Sequence, residues 1–193
     1  MINLIRFIVF IFIITLSLSL KASEASNWLK QEVDKILVAY QDPNLPNENR
    51  FLLIEQTINN NFPGKSIAIN IAKQSYKNAN EETRSNYINL FKRHLALNIA
   101  SLMQGYSNQK YVLKDSRYDE KNKVNYIDME VYLDTGEMIV TWRVLKHKER
   151  YFVIDLIISG ISLYETKRSE FNSMLKNVDN DLTKLNEELH KIN

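Results

Sequence analysis

The sequence predicts an α+β fold: a run of helices, a four-stranded antiparallel sheet, and two closing helices, with the flanking helices covering one face of the sheet. Three observations predict it. From about residue 27 to Gly105, apolar residues recur three and four apart, the helical period. From Lys110 to Ile158 the period falls to two, and the links between runs are short enough to favour antiparallel hairpins. After Gly160 the helical period returns.

The elements follow in order. Met1 to about Ala25 reads as a secretory signal. Arg6 and the amino terminus supply positive charge, and Phe7 to Leu20 supply an apolar stretch of roughly 14 residues, the length of a signal core. A membrane-spanning helix needs about 20. Cleavage after Ala25 places Ser23 at −3 and Ala25 at −1; cleavage after Ala22 is also compatible. No Cys follows, so a lipoprotein anchor is excluded. The mature domain then runs 26–193: a helical part 26–105, a sheet 106–158 and C-terminal helices 159–193.

In the helical part, residues 27–41 put Leu29, Val33, Ile36, Leu37 and Tyr40 on one face. Asp42-Pro43 breaks that helix. A second helix, about 47–60, carries Phe51, Ile54 and Ile58. A third, about 65–78, carries Ile67, Ile71 and Tyr76. Asn80 is a helix N-cap candidate with Glu81 and Glu82 in the first turn, opposing the helix dipole. The long helix it opens carries Tyr87, Phe91, Leu95, Ile99, Leu102 and Met103, a wide stripe that calls for a large partner surface.

Four strands are read at Lys110–Ser116, Val124–Leu133, Glu137–Lys146 and Arg150–Ile158. On the second, Ile127, Met129, Val131 and Leu133 share a face; on the third, Met138, Val140, Trp142 and Val144 do. The opposite faces are mixed, which fits a sheet covered on one side. Gly160 marks a tight bend and Ser162 a helix cap. Tyr164, Arg168, Phe171 and Leu175 line one helix, and Leu182, Leu185, Leu189 and Ile192 the last.

Composition narrows the function. The chain has 193 residues, 45% apolar and 25% charged, with a net charge of +2. That is too apolar and too neutral for a disordered chain. It lacks the basic excess of a nucleic-acid binder, so no nucleic acid is expected. With no Cys there is no disulfide, no thiolate nucleophile and no Cys-bound zinc. Only three His are present, at 94, 147 and 190, and no metal-binding spacing occurs. Pro63-Gly64-Lys65-Ser66 resembles the end of a phosphate-binding loop, but Asn59 stands where its first glycine belongs. His94 reads as a tolerated flank of the apolar stripe. Asp128 and Glu130 are expected to pair with Arg143 across the ladder. Asp155, a lone acid in an apolar strand, needs a partner if buried, and Arg168 is the candidate. Basic residues at Lys110, Lys114, Arg117, Lys121 and Lys123, and at Arg143, Lys146, Lys148 and Arg150, interleave with acids. They read as solvated hairpins, or as a weak docking patch for an anionic membrane surface or an acidic partner.

The run Tyr151-Phe-Val-Ile-Asp155-Leu-Ile-Ile-Ser-Gly160-Ile-Ser162-Leu163, followed by Arg168-Ser-Glu-Phe171, resembles the MlaC proteins, also called toluene-tolerance (Ttg2-type) auxiliary proteins. Asp155, Gly160, Ser162, Leu163, Arg168 and Phe171 match that family's pattern. Tyr151 stands where the family often has Trp, and Lys167 where it often has Tyr. Val140-Thr-Trp142-Arg143 is similar to the family's Val-x-Tyr-Arg strand, and Asn80-Glu81-Glu82 through Phe91 to its Pro-Glu-Gln…Phe helix. Between Phe62 and Tyr76 the likeness is looser, with Pro63-Gly64 replacing Asp-Phe.

The resemblance implies a non-enzymatic periplasmic phospholipid carrier on an NTF2-like or cystatin-like sheet. It would be the auxiliary component of an ABC transport system that maintains outer-membrane lipid asymmetry. The implied partners are an inner-membrane MCE-domain protein with its ABC transporter and an outer-membrane lipoprotein complex, with transient membrane contact. No cofactor is implied; a phospholipid is the cargo. The residues expected to contact it are Ile67, Ile71, Phe91, Leu95, Ile99, Met129, Val131, Val140, Trp142 and Ile154, with Asp155 and Arg168 as an ion pair beneath. Two other classes compete: a structural adaptor of an envelope complex without lipid cargo, and a small exported enzyme, which would need a polar constellation inside the apolar face.

Overall fold

A computed structural model describes the backbone of residues 2–103 and 109–193, and side chains from residue 22 onward. The apolar stretch of the expected leader, and Gly105, lie outside the described side chains. The chain forms two compact units. The first is Met1–Asp34 with Gln109–Gly160; the second is Lys35–Asn108 with Ile161–Asn193.

Helix α1 runs Ile2–Gln41, much longer than the expected 27–41. Nothing before Asp42 breaks a helix, and Pro43 stops it because the residue ahead of a proline is pushed out of the helical region. Among the described residues, no helix is long and apolar enough to cross a membrane.

The first unit is the sheet with α1 up to Asp34. Strands β1 (Tyr111–Asp119), β2 (Val124–Leu133), β3 (Gly136–His147) and β4 (Arg150–Ile158) pair antiparallel in chain order. The four expected strands are present, and a two-residue β5 (Ile161–Ser162) adds a fifth at the edge. The hairpins close tightly. Leu133 opposes Gly136, whose φ of 135° suits glycine, and His147 opposes Arg150. In the β1–β2 turn, Asp119 accepts hydrogen bonds from the amides of Lys121 and Asn122 and from the Asn122 side chain, which holds its carboxyl below the usual range.

Two bulges interrupt the ladder. On β1, Leu113 opposes Met129 but Ser116 opposes Ile127, one residue too many. On β4, Asp155 opposes Arg143 while Val153 opposes Val144, so Ile154 is the extra residue.

The second unit packs α2 (Asn47–Asn61), α3 (Gly64–Asn78), α4 (Glu81–Met103), α5 (Leu163–Asn177) and α6 (Leu182–Ile192). Its core centres on Tyr87, Phe91 and Phe171, with Ile71, Leu175, Leu182, Leu185 and Leu189 around them. Phe91 and Phe171 meet edge-to-face at 5.0 Å. The Tyr87 hydroxyl donates to the Ala68 carbonyl at 3.2 Å, and burial pushes its pKa well above the ordinary tyrosine range. Three side-chain caps set helix starts: Asn80 accepts from the Thr83 amide, Ser162 from Glu165, and Asp181 from Thr183 and Lys184. Gly64 does a packing job, since a Cβ there would come within 2.9 Å of the Lys92 side chain. That explains the glycine without any phosphate.

Two expectations for apolar stripes change at the helix ends. Leu102 is 58% exposed and Ile192 is also exposed, so both stripes outrun the surface they cover.

Candidate ligand-binding surface

The apolar sheet face is built by cross-strand rows. Val131 opposes Met138, Met129 opposes Val140, and Ile127 opposes Trp142; across the next gap Trp142 opposes Leu156 and Val140 opposes Ile158. Residues directly opposite share a face. Four of the expected contact residues, Met129, Val131, Val140 and Trp142, are therefore brought together. Met129 and Val140 are buried; Val131 and Trp142 are half-buried. Ile154, the fifth, sits in the bulge, and Val153 takes the ladder position that a strict two-residue period would have given it.

Helix α1 lies on this face. Tyr111 opposes Val131, and Lys146, two residues beyond Val144, opposes Tyr151, so all three point to the apolar side. Each touches α1. The Tyr111 hydroxyl donates to Asp34 at 2.6 Å; the Tyr151 hydroxyl donates to Glu24 at 3.1 Å; Lys146 stands 3.6 Å from Glu24. Trp28 stacks on Tyr151 with ring centres 5.5 Å apart. Hydrogen bonds from Lys30 and then Tyr111 hold the Asp34 carboxyl below the usual carboxylate range. Burial, reinforced by the bond to Glu24, raises the Tyr151 hydroxyl above its ordinary value.

Two polar atoms are enclosed on this face without a protein partner: Trp142 Nε1 and Asn125 Oδ1. Asn125 was missed by sequence reasoning. The signal was present, because Asn125 precedes Ile127, Met129 and Val131 at the same parity and is the one polar residue in that series. Its amide nitrogen reaches the Val144 carbonyl at 3.4 Å. A groove of about 570 Å³ also lies between α1 and β1, lined by Ser26, Lys30, Tyr111 and Lys114 among others; none of the ten expected residues lines it.

The opposite face is polar, and it corrects the expected ladder pairs. Arg143 is bound by Asp155 at 3.3 Å, not by Asp128 or Glu130. Asp128 instead accepts from the Thr141 hydroxyl at 2.6 Å, and Glu130 takes Lys114 at 2.6 Å. Lys114 and the Tyr132 hydroxyl hold the Glu130 carboxyl low, while the neighbouring Glu137 is raised by sharing a hydrogen bond with Glu130. Register explains the Arg143 choice: Arg117, Tyr126, Arg143 and Asp155 form one row across four strands. The Tyr126 ring lies 4.2 Å from the Arg117 guanidinium and 5.7 Å from that of Arg143. Arg168, the expected partner of Asp155, binds Glu165 at 3.2 Å. Lys114, Arg143 and Lys146 all have acid partners, which weakens the expected basic patch.

In the helical unit, Ile71 and Phe91 are core residues with Ile67 packed against them. Leu95 is buried and Ile99 half-buried on the same helix. His94 is not a tolerated flank. It is buried, with Nδ1 3.0 Å from Asn193 Oδ1 and Nε2 3.2 Å from Glu170. Lys167 joins the same carboxylate at 2.5 Å and reaches Asn98 at 2.7 Å. Among the described residues, no group of acidic and His side chains could hold a metal ion.

Comparison with known proteins adds a family and a fold. The family profile described as MlaC protein matches residues 30–191. A phospholipid-binding protein from Ralstonia solanacearum, solved in complex with a phospholipid, is similar in structure, with a TM-score of 0.72 and 22% sequence identity. The likeness covers 86% of this chain and 97% of that one. No curated protein matches. At this identity the structural likeness speaks for the α+β fold.

Proposed function

The chain belongs to the MlaC protein family, and from that premise we propose that it is a periplasmic carrier that holds one glycerophospholipid and shuttles it between the inner and outer membranes. The observation that carries the reading is the family match over residues 30–191. The fold shared with a phospholipid-binding protein supports it. The physical logic is simple: two acyl chains are costly in water, at about 0.8 kcal/mol per CH₂, and an apolar protein surface replaces the bilayer. Lipid contact is proposed for Met129, Val131, Val140, Trp142 and Ile154 on the sheet, and for Ile67, Ile71, Phe91, Leu95 and Ile99 on the helices. The protein needs no cofactor and performs no chemistry on its cargo. Its proposed partners are an inner-membrane MCE-domain protein with its ABC transporter and an outer-membrane lipoprotein complex.

The test is gentle purification, organic extraction and phospholipid quantification per chain. About one lipid per chain is expected, with intact esters after long incubation. Stripping should lower the melting temperature, because a ligand bound only to the native state stabilises it by mass action. A lipid-free native protein would favour the adaptor reading; stoichiometric lyso-lipid would favour an enzyme.

A further inference from the structure

The first unit does not end where the leader was expected to end. Ala22, Ala25, Leu29 and Val33 recur three and four residues apart, so they form one stripe on α1. All four are buried, Ala25 and Leu29 to 0% and 1% exposure. Between them, Glu24 accepts the Tyr151 hydroxyl at 3.1 Å and faces Lys146 at 3.6 Å. One turn on, Trp28 stacks against the same Tyr151 ring. The Ser26 hydroxyl oxygen is enclosed without a partner.

Two peptide bonds here carry alanine on the amino side, after Ala22 and after Ala25; the first has Leu20 at −3 and the second the smaller Ser23. Sequence alone prefers the second, with Ser23 at −3. The structure separates them. Cleavage after Ala25 removes a fully buried methyl group and takes Glu24 from Tyr151 and Lys146. It also creates an ammonium on Ser26, a half-buried position and a less favourable place for a new charge than an exposed one. The truncated helix would begin without an acid in its first turn, against its dipole. Cleavage at either bond gives up the buried Ala22 methyl, but cleavage after Ala22 keeps Ala25 and Glu24, and puts the ammonium on Ser23, which is exposed. Glu24 then stands in the first turn, where an acid is favourable.

We infer that the exported chain is processed between Ala22 and Ser23, and that Ser23, Glu24 and Ala25 belong to the folded domain. An export endopeptidase adds water across the Ala22–Ser23 amide; Ala22 departs on the leader with the new carboxylate, and Ser23 keeps the nitrogen as an ammonium. The inference rests on the proposed export of the chain.

The test expresses the full chain in an exporting host and determines the N-terminus and intact mass of the envelope-fraction protein. A first residue of Ser23 is expected. Ser26, or any other processed start, overturns the inference and leaves export standing. An unprocessed Met1 overturns both. A second variant reads the structural claim. Glu24→Gln in the precursor should lower the melting temperature of the processed protein by about 2 °C. If residue 24 is removed during processing, the two mature proteins are identical. An unchanged melting temperature therefore also overturns the claim that Glu24 is part of the fold.

Discussion

Asp155 keeps 1% of its side chain exposed, while the Arg143 guanidinium opposite keeps 32%. The acid is the buried member of the pair, so breaking the pair removes the counter-charge from a buried carboxylate, whose Oδ1 still accepts the Leu156 amide at 2.8 Å. Arg143→Ala should therefore destabilise by about 2–4 kcal/mol, toward the low end of buried-pair values because Arg143 is partly solvated. Arg168→Ala, which loses an exposed bond to Glu165, should cost less than about 1 kcal/mol. Chemical denaturation of the two variants checks this; equal losses would restore Arg168 as the partner of Asp155. Asp34 makes a separate, pH-dependent prediction. Its carboxyl titrates below the ordinary value of 3.8 when folded. Its contribution to stability is thus present above that value and is lost as pH falls through the lower, folded one. Tyr111→Phe removes one of the two bonds responsible, and should move the NMR titration midpoint of Asp34 upward, toward the ordinary value.

Element boundaries show where sequence reading succeeds and where it fails. The ends of β2 were legible because alternation runs to charged or turn residues at both ends, at Lys123 and Asp134, and those of β4 because its apolar run is bounded by Arg150 and Gly160. The Ile154 bulge was not legible. Ile154 is as apolar as its neighbours, so a one-residue slip leaves no mark on the pattern, yet it reassigns Val153 and Asp155 to different rows. That slip, with the row it completes, is why the Arg143–Asp155 pair could not be read from spacing. The candidate site was legible to the same degree: Met129, Val131, Val140 and Trp142 share a face as alternation requires, while Ile71 and Phe91 join a helical core that periodicity alone does not distinguish from a lined surface. Caps were legible because their chemistry is local. Asp181 accepts from two amides at the start of α6, an element whose Leu182, Leu185 and Leu189 are all buried. Asp181→Ala should cost about 1 kcal/mol in thermal or urea unfolding, with hydrogen exchange accelerating first in α6.

For the whole molecule, the decisive contrast is between filling space and packing it. Phe91→Ala and Ile71→Ala remove buried groups from the helical core and should cost about 2–5 kcal/mol. Met129→Trp and Val140→Trp add volume to the sheet face. In a filled core, overpacking costs about 1–3 kcal/mol. On a lipid-bearing surface the ring takes space that an acyl chain would occupy, so the fold should hold while phospholipid per chain falls. Thermal unfolding and lipid extraction on the same samples decide it. Unfolding with unchanged lipid per folded chain would return Met129 and Val140 to ordinary core. The division of the chain into interleaved units also has a consequence for its synthesis. Every strand of the first unit has been made once Gly160 emerges, whereas the second still awaits Phe171, Leu175, Leu182, Leu185 and Leu189. A chain made amino end first is therefore half built at that moment: β1 to β4 are complete, while α3 and α4 still lack the α5 and α6 side chains that finish their core. A polypeptide stalled short of Leu182 would leave that helical half, and not the sheet, for a chaperone to hold.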